Sequence, residues 1–173
     1  PGVRNALGAE IDGIFKGQAD FVEAGLCQNS GWQTQYDGYC FSGRDQSRDG
    51  YGHGSHIAGI IWNNIEDQDT GVKLGIAPDA DILSVRVLGE DGTGTYADVI
   101  EGIQYVVANK YTWNIRVMNM SLSANVTTPY FEDPMNRAVE AAWANGITVV
   151  VAAGNSGPGS ESITVPGNDP YVI

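Results

Sequence analysis

Apolar residues follow two different spacings along residues 51–173. Continuous apolar runs such as Ile82–Leu88 are typical of buried strands. Other apolar positions, such as Val99, Ile103 and Val106, recur with the period of one helix face. The predicted elements are a helix at 54–63, a strand at 82–88, a helix at 97–109, a strand at 115–122, a helix at 133–145 and a strand at 147–153.

This alternation predicts an α/β fold with a parallel sheet, because strands that are apolar on both faces must be covered by helices. In such sheets ligands bind beyond the carboxyl ends of the strands. The loops after Leu88, Leu122 and Ala153 are therefore the places where function is expected. Residues 1–50 show no comparable pattern and predict loops with short strands.

Composition and charge exclude several function classes. The chain has 9 Lys and Arg against 21 Asp and Glu, a net charge of −12. A chain this acidic is not expected to bind nucleic acid, whose phosphates favour Lys and Arg. No apolar run reaches the roughly 18 residues of a membrane-spanning helix. With 42% hydrophobic residues, the chain can form a core.

Cys27 and Cys40 are the only cysteines in the sequence. A disulfide between them would close a short polar loop and would indicate an oxidising compartment. Two free thiols are the alternative interpretation. The spacing matches no zinc-binding pattern.

The two histidines, His53 and His56, lie three positions apart, and glycines on both sides of His53 leave its imidazole accessible. A metal site is one interpretation, since positions i and i+3 share a helix face, but the H-E-x-x-H pattern is missing. Capping or core histidines are another. Beyond the last predicted strand, the amide of Asn155 could donate to an oxyanion, although Asn-Ser-Gly is more often an ordinary turn.

Five segments, in the right order, resemble the subtilase family, the subtilisin-like serine endopeptidases (peptidase S8). They are Asp49–Gly59, Leu74–Pro78, Val85–Gly89, Val117–Leu122 and Val149–Asn155. The first reads D-G-Y-G-H-G-S-H-I-A-G where the family has D-G-x-G-H-G-T-H-V-A-G. The resemblance implies a three-layer α/β fold with a mostly parallel sheet and helices on both faces.

The resemblance also implies a role for each matching residue. His53 matches the general base, which takes the proton of the serine hydroxyl and returns it to the leaving amine. Asn155 matches the side-chain donor of the oxyanion hole. Two segments, Gly92-Thr93-Gly94 and Ser121-Leu122-Ser123, match the strands that flank the substrate, and Ala152-Ala153-Gly154 matches the floor of the primary specificity pocket. Ser123 stands where the family usually has Gly, so no side-chain preference is carried over.

An acidic loop follows the histidine segment, where many family members bind Ca²⁺. Its candidate ligands are Asn63, Asn64, Glu66, Asp67 and Asp69. Their side-chain oxygens suit a hard cation, although the loop differs in sequence from that of the family. A structural Ca²⁺ is therefore the one cofactor considered, and the chemistry itself requires none.

The family's triad runs Asp, His, Ser along the chain, and neither the D-[ST]-G nor the G-T-S-M-A motif occurs in this sequence. Asp12, in Glu10–Gly13, imitates the first motif but no Ser or Thr follows it. We expect residues 1–173 to be a partial catalytic domain, incomplete at both ends. The Asp strand would precede Pro1, the Ser helix would follow Ile173, and the chain alone would be inactive.

The expected parent protein is a secreted, extracellular serine endopeptidase that acts on polypeptides as a monomer. The alternative is a non-catalytic subtilase-like module that binds peptides or calcium. Retention of both His53 and Asn155 favours the enzyme, because a binding module needs neither. A dinucleotide-binding domain is disfavoured, since no G-x-G-x-x-G follows the first predicted strand.

Overall fold

A computed structural model describes residues 15–22, 34–36, 39–42 and 49–173. The elements are β1 Phe15–Asp20, β2 Thr34–Tyr36, β3 Tyr39–Ser42, α1 His53–Trp62, β4 Ile82–Arg86, α2 Tyr96–Ala108, β5 Val117–Met120, α3 Pro134–Ala144 and β6 Thr148–Val151. From α1 onward, the alternation of helix and strand is the predicted one. The chain forms two compact units, Pro1–Asp98 and Val99–Ile173. In the ranges described, every helix is too short or too polar to cross a bilayer.

The first unit contains a four-stranded sheet in the order β2-β3-β1-β4. Strands β1 and β4 are parallel, with Asp20 opposite Arg86. Strand β3 pairs antiparallel with both β1 and β2. The short strands expected in the first 50 residues are thus present, and one of them supplies the parallel neighbour of β4.

Helix α1 is anchored to this unit by Trp62, whose side chain is fully buried. Ala58 and Ile61 from the same helix pack against Trp62, as does Ile82 at the start of β4. Apolar contact of this kind stabilises a helix more than its intrinsic propensity does. The contact therefore fixes the end of α1 and leaves its first turn, with His53, at the surface.

A buried ion pair joins the parallel strands of the first unit. The Arg86 guanidinium donates to Asp20 Oδ2 at 2.7 Å, with 6% of the Arg86 side chain and 0% of the Asp20 side chain exposed. A second guanidinium nitrogen of Arg86 lies 3.1 Å from Glu90 Oε1. Asp20 Oδ1 accepts from the backbone N–H of Val22 at 2.9 Å. Arg86 thus connects the end of β1 to the loop after β4.

The second unit is built on β5 and β6, which are parallel, with Val117 opposite Thr148 and Met120 opposite Val151. Met118 and Met120 are buried, whereas Val117 on the other face is exposed. On the far edge of β6, the Ile173 N–H donates to Val149 and its carbonyl accepts from Val151. The carboxyl ends of β5 and β6 therefore lie side by side, as a parallel pair requires.

Helix α3 begins and ends where the sequence predicts. The Asp133 side chain accepts from the N–H groups of Met135 and Asn136, and Pro134 occupies the first helical position. At the other end, Gly146 has a φ of 72° and the Ile147 N–H donates to Ala142. This Schellman turn uses Ile147 to close the helix. Strand β6 consequently begins at Thr148, one residue later than predicted.

Asp169 gives the second unit a stability that depends on pH. Its side chain is buried, Oδ1 accepts from the Tyr171 N–H at 2.8 Å, and Oδ2 has no hydrogen-bond partner among the described residues. Burial raises the pKa of the Asp169 carboxyl; the Tyr171 hydrogen bond opposes this shift, and the nearby Glu140 adds to it.

We expect Asp169→Asn to be more stable than the parent chain at neutral pH and of similar stability at acid pH. Because the folded-state pKa is raised, the folded chain holds the proton more tightly than the unfolded chain. The free energy of unfolding therefore falls as the pH rises from the ordinary value of 3.8 through the folded-state pKa. The amide avoids this loss and keeps an acceptor for Tyr171. Urea unfolding of both chains across this pH range tests the prediction, and an Asn variant that is less stable at neutral pH would contradict it.

Candidate active site

His53 is the first residue of α1, and its side chain is exposed. The residue before it, Gly52, is the N-cap and has a φ of 87°, in the left-handed region that favours glycine. Gly52 therefore lets the chain turn sharply into the helix, and the turn presents the imidazole to solvent. His56, one turn further on, is also exposed.

The carboxylate of Asp49 holds this turn in place. Its Oδ1 accepts from the Gly52 N–H at 2.9 Å and its Oδ2 accepts from the Ser55 N–H at 2.7 Å. Partial burial raises the pKa of Asp49, but the hydrogen bonds from Ser55 and Gly52 outweigh it and leave the pKa below its usual value. These bonds therefore stabilise the fold above the ordinary pKa, and the stabilisation is lost as the pH falls through the folded-state value.

The loop between β4 and α2 contains Gly92, Thr93 and Gly94, and it packs against the histidine segment. Gly92 has a φ of 79°, and a Cβ at this position would lie 2.9 Å from the Tyr51 ring. The carboxylate of Glu90 fills the space where Gly50 has no side chain. The loop is closed internally, since Asp91 Oδ1 accepts from the Thr93 N–H at 2.9 Å. The structure thus packs the loop that holds one predicted substrate segment against Tyr51, two residues before His53.

In the second unit, the other predicted substrate segments lie side by side. Ser121, Leu122 and Ser123 follow β5, and Ala152, Ala153 and Gly154 follow β6. The Ala152 N–H donates to Met120 at 3.2 Å, which continues the parallel pairing. Ser121 Oγ lies 3.0 Å from Asn119 Nδ2, while Ser123 is exposed. Asn155 is exposed directly after Gly154, at the carboxyl end of the sheet, where the fold places ligands.

Gly154 is the tightest point of this segment. Its φ is 106°. A Cβ at this position would lie 2.8 Å from Thr164 Cγ2, which is closer than a Cβ normally lies to any non-bonded heavy atom. Thr164 cannot easily move, since its N–H and its Oγ1 both lie within hydrogen-bond distance of the Ala153 carbonyl. The contact between residues 153–154 and Thr164 therefore fixes the backbone that leads into Asn155.

We expect Gly154→Ala to lower the free energy of unfolding by about 2–3 kcal/mol, through backbone strain and crowding together. Gly157→Ala is the matched control, because Gly157 also has a positive φ, of 89°, but nothing lies within 4 Å of its added Cβ. Because this substitution adds backbone strain but no crowding, we expect it to lower the free energy of unfolding by only about 1 kcal/mol. Urea unfolding measures both. If both variants lower the free energy of unfolding equally, Thr164 moves to make room for the added methyl group and the segment is not tightly packed.

In the acidic loop, the side-chain oxygens of Asn63 and Asp67 accept hydrogen bonds from the loop backbone. Asp67 Oδ1 accepts from the Thr70 hydroxyl at 2.8 Å and from the N–H groups of Thr70 at 2.8 Å and Asp69 at 3.1 Å. The hydroxyl bond first, and then the two backbone bonds, lower the pKa of Asp67. Asn63 Oδ1 accepts from the Ile65 N–H. Across the described ranges, no three His, Cys, Asp or Glu side chains converge to hold a metal ion. Calcium binding by Asn63, Asn64, Glu66, Asp67 and Asp69 therefore stays a prediction.

Two predictions fall outside the described residues. Asp12 and Cys27 lie beyond the described ranges, and the side chain of Cys40, in β3, is not described either. The disulfide between Cys27 and Cys40 therefore stays a prediction.

Sequence reasoning missed the residues that support the histidine segment. Asp49 and Tyr51 lie within the motif around His53, yet no role follows from the pattern alone. Glu90 and its partner Arg86 gave no signal at all. A carboxylate four positions before a histidine in a glycine-rich turn is the one feature that could have identified Asp49.

Comparison with known proteins identifies the family. The subtilase family model (Peptidase S8) matches residues 12–173. Serine protease AprX of Bacillus subtilis (strain 168) is 42% identical over 132 residues, covering 72% of this chain and 29% of that protein. Subtilisin DY of Bacillus licheniformis is 39% identical over 124 residues, covering 72% of this chain and 41% of that protein. The major intracellular serine protease of Bacillus subtilis (strain 168) is 41% identical over 118 residues, covering 68% of this chain and 34% of that protein. Because that relative is named as intracellular, extracellular location of the present protein stays a prediction.

Solved structures agree in fold. Sphericase matches with a TM-score of 0.69 and 26% identity, covering 92% of this chain and 46% of that structure. The S41 psychrophilic protease matches with a TM-score of 0.65 and 32% identity, covering 88% of this chain and 43% of that structure. The chain thus spans less than half the length of these relatives and structures, and the subtilisin-like α/β fold is confirmed. The chain belongs to the subtilase family.

Proposed function

We propose that the protein containing this chain is a serine endopeptidase in which His53 is the general base. The observation that carries the proposal is the presentation of His53. Its imidazole is exposed at the first turn of α1, and the Gly92 loop is packed against the same segment through Tyr51. A general base needs this exposure, because it must reach both the nucleophile and the leaving group.

His53 would take the proton from a serine hydroxyl as that oxygen attacks the peptide carbonyl. The C–N bond then breaks, and the imidazolium returns the proton to the leaving amine. Water repeats the sequence on the acyl-enzyme and releases the acid. The serine and the orienting aspartate of this triad belong to motifs that residues 1–173 do not contain. We therefore propose that the 173-residue chain by itself does not hydrolyse peptides.

The oxyanion donor would be Asn155, in the second unit. The neutral amide of Asn155 has two N–H donors suited to a developing negative charge. An extended substrate would pair with the backbone of Ser121, Leu122 and Ser123, and with that of Gly92, Thr93 and Gly94. Ala152, Ala153 and Gly154 would line the pocket for the residue before the cleaved bond. Small residues at the end of β6 leave room for that side chain.

A fluorophosphonate probe tests this function, since it labels only an activated serine. The full-length protein that contains this chain should be labelled when native and not after heat denaturation, and it should cleave an unfolded polypeptide substrate. Residues 1–173 expressed alone should give neither signal. A native full-length protein that is not labelled would overturn the proposal and favour a module that binds peptides without cleaving them.

A further inference from the structure

The first turn of α1 is capped from outside the helix. A helix begins with four N–H groups that have no partner within it, and the N-cap here is Gly52, which has no side chain to accept from them. Asp49 reaches forward instead and accepts from Gly52 and Ser55 through separate oxygens, at 2.9 Å and 2.7 Å. The two hydrogen bonds flank His53 along the chain, one before it and one after it.

This arrangement restricts the backbone on both sides of the imidazole. Gly52 and Gly54 flank His53, and glycine leaves a backbone freer than any other residue does. A charged acceptor makes hydrogen bonds about twice as strong as a neutral one. The carboxylate thus supplies the rigidity that these glycines remove. Gly50, next to Asp49, contacts the Glu90 carboxylate, and Glu90 in turn accepts a hydrogen bond from Arg86.

We propose that Asp49 is a positioning residue that fixes the orientation of His53 for proton transfer. The inference rests on the proposed function of His53 and extends it to a side chain that takes no part in the chemistry. Catalysis is sensitive to placement, and a displacement of about 1 Å in a reacting group can reduce the rate about 10²-fold. We therefore expect loss of the Asp49 carboxylate to lower the turnover rate of each folded molecule, in addition to its effect on stability, and to change the binding of substrate little.

The kinetic test uses the full-length protein and two variants of graded severity. Asp49→Asn keeps one acceptor oxygen and Asp49→Ala keeps none. Rates are divided by the concentration of active sites, titrated with the fluorophosphonate probe, so that unfolded molecules do not count. Per titrated site, kcat is expected to fall about 10-fold for Asn and about 100-fold for Ala, with KM changed less than about threefold.

Asp133→Ala is the matched control for Asp49→Ala. Asp133 also accepts from two backbone N–H groups at a helix N-terminus, those of Met135 and Asn136, but it caps α3. Removal of this cap should lower the free energy of unfolding by about 1 kcal/mol and leave kcat per titrated site unchanged. An unchanged kcat per site in Asp49→Ala would overturn the proposal, as would an equal fall in Asp133→Ala. If Asp49→Ala does not fold, Asp49→Asn decides by the same criterion.

A second measurement does not depend on activity. The Hε1 proton of the His53 ring, assigned by its disappearance in His53→Gln, should shift or broaden in Asp49→Asn, while that of His56 should not. A full-length protein that is neither labelled nor active would contradict the proposed function but would leave this measurement valid. A His53 signal unaffected by Asp49→Asn would overturn the positioning role.

Discussion

Replacement of His53 by Ala in the full-length protein is expected to reduce kcat/KM for peptide hydrolysis by about 10⁴-fold. Without the imidazole, no group accepts the serine proton or returns it to the leaving amine, and acid–base catalysis of this kind contributes up to about 10⁴-fold. His53 acts on the reacting atoms and contributes little to binding, so the loss should lie in kcat and KM should change little. Initial rates with a chromogenic peptide, at several substrate concentrations, separate the two constants.

His56→Ala is the matched control, because the chain has only two histidines and both are exposed on α1. It removes the same side chain from the same helix, three positions further along. We expect it to retain activity within about 10-fold of the parent, the effect of a small change in local packing. If both variants lose activity equally, the helix rather than the His53 imidazole is the sensitive element, and the assignment of the general base is wrong.

The ends of α3 could be predicted from the sequence because they carry local signals. The pair Asp133-Pro134 and Gly146 each act within a few residues of the position they mark. The strand ends were predicted less well, because an apolar run does not show which of its residues pair. Ile147 is apolar and adjoins β6, yet it closes the turn of α3, and only the backbone hydrogen bonds reveal this.

Strand β1 shows why the positions of the short strands in the first 50 residues could not be predicted. It reads Phe-Lys-Gly-Gln-Ala-Asp, which has neither a continuous apolar run nor strict alternation. The partner of its final residue is Arg86, 66 positions away. A single sequence contains no information that couples two such distant residues, so the buried ion pair could not be anticipated.

In the candidate site, residues within contiguous motifs could be predicted from the sequence, whereas contacts between separate loops could not. His53, Gly92 and Asn155 belong to contiguous motifs, and the sequence shows them directly. The contacts of Tyr51 with Gly92 and of Glu90 with Gly50 depend instead on how two loops meet in the first unit. The residues proposed to act in catalysis or substrate binding were therefore easier to find than the residues that contact them.

Replacement of Arg86 by Met is expected to lower the free energy of unfolding by about 3–5 kcal/mol, the usual effect of removing one partner of a buried ion pair. The Asp20 carboxylate is fully buried and would lose the guanidinium 2.7 Å away. Met fills much of the volume of the Arg stem, so the loss is electrostatic rather than a cavity effect. Urea unfolding of the chain, followed by tryptophan fluorescence, measures the change.

Two further variants identify the cause of that loss. Lys73→Met breaks the exposed ion pair with Asp79 in the same unit and should lower stability by no more than about 1 kcal/mol. Adding Asp20→Asn to Arg86→Met removes the buried charge while keeping an acceptor for the Val22 N–H, so most of the loss should be recovered. A double variant as unstable as Arg86→Met would show that Arg86 acts through packing or through Glu90. A single variant no less stable than Lys73→Met would show that water reaches Asp20, and that β1 and β4 are held together by their backbone pairing alone.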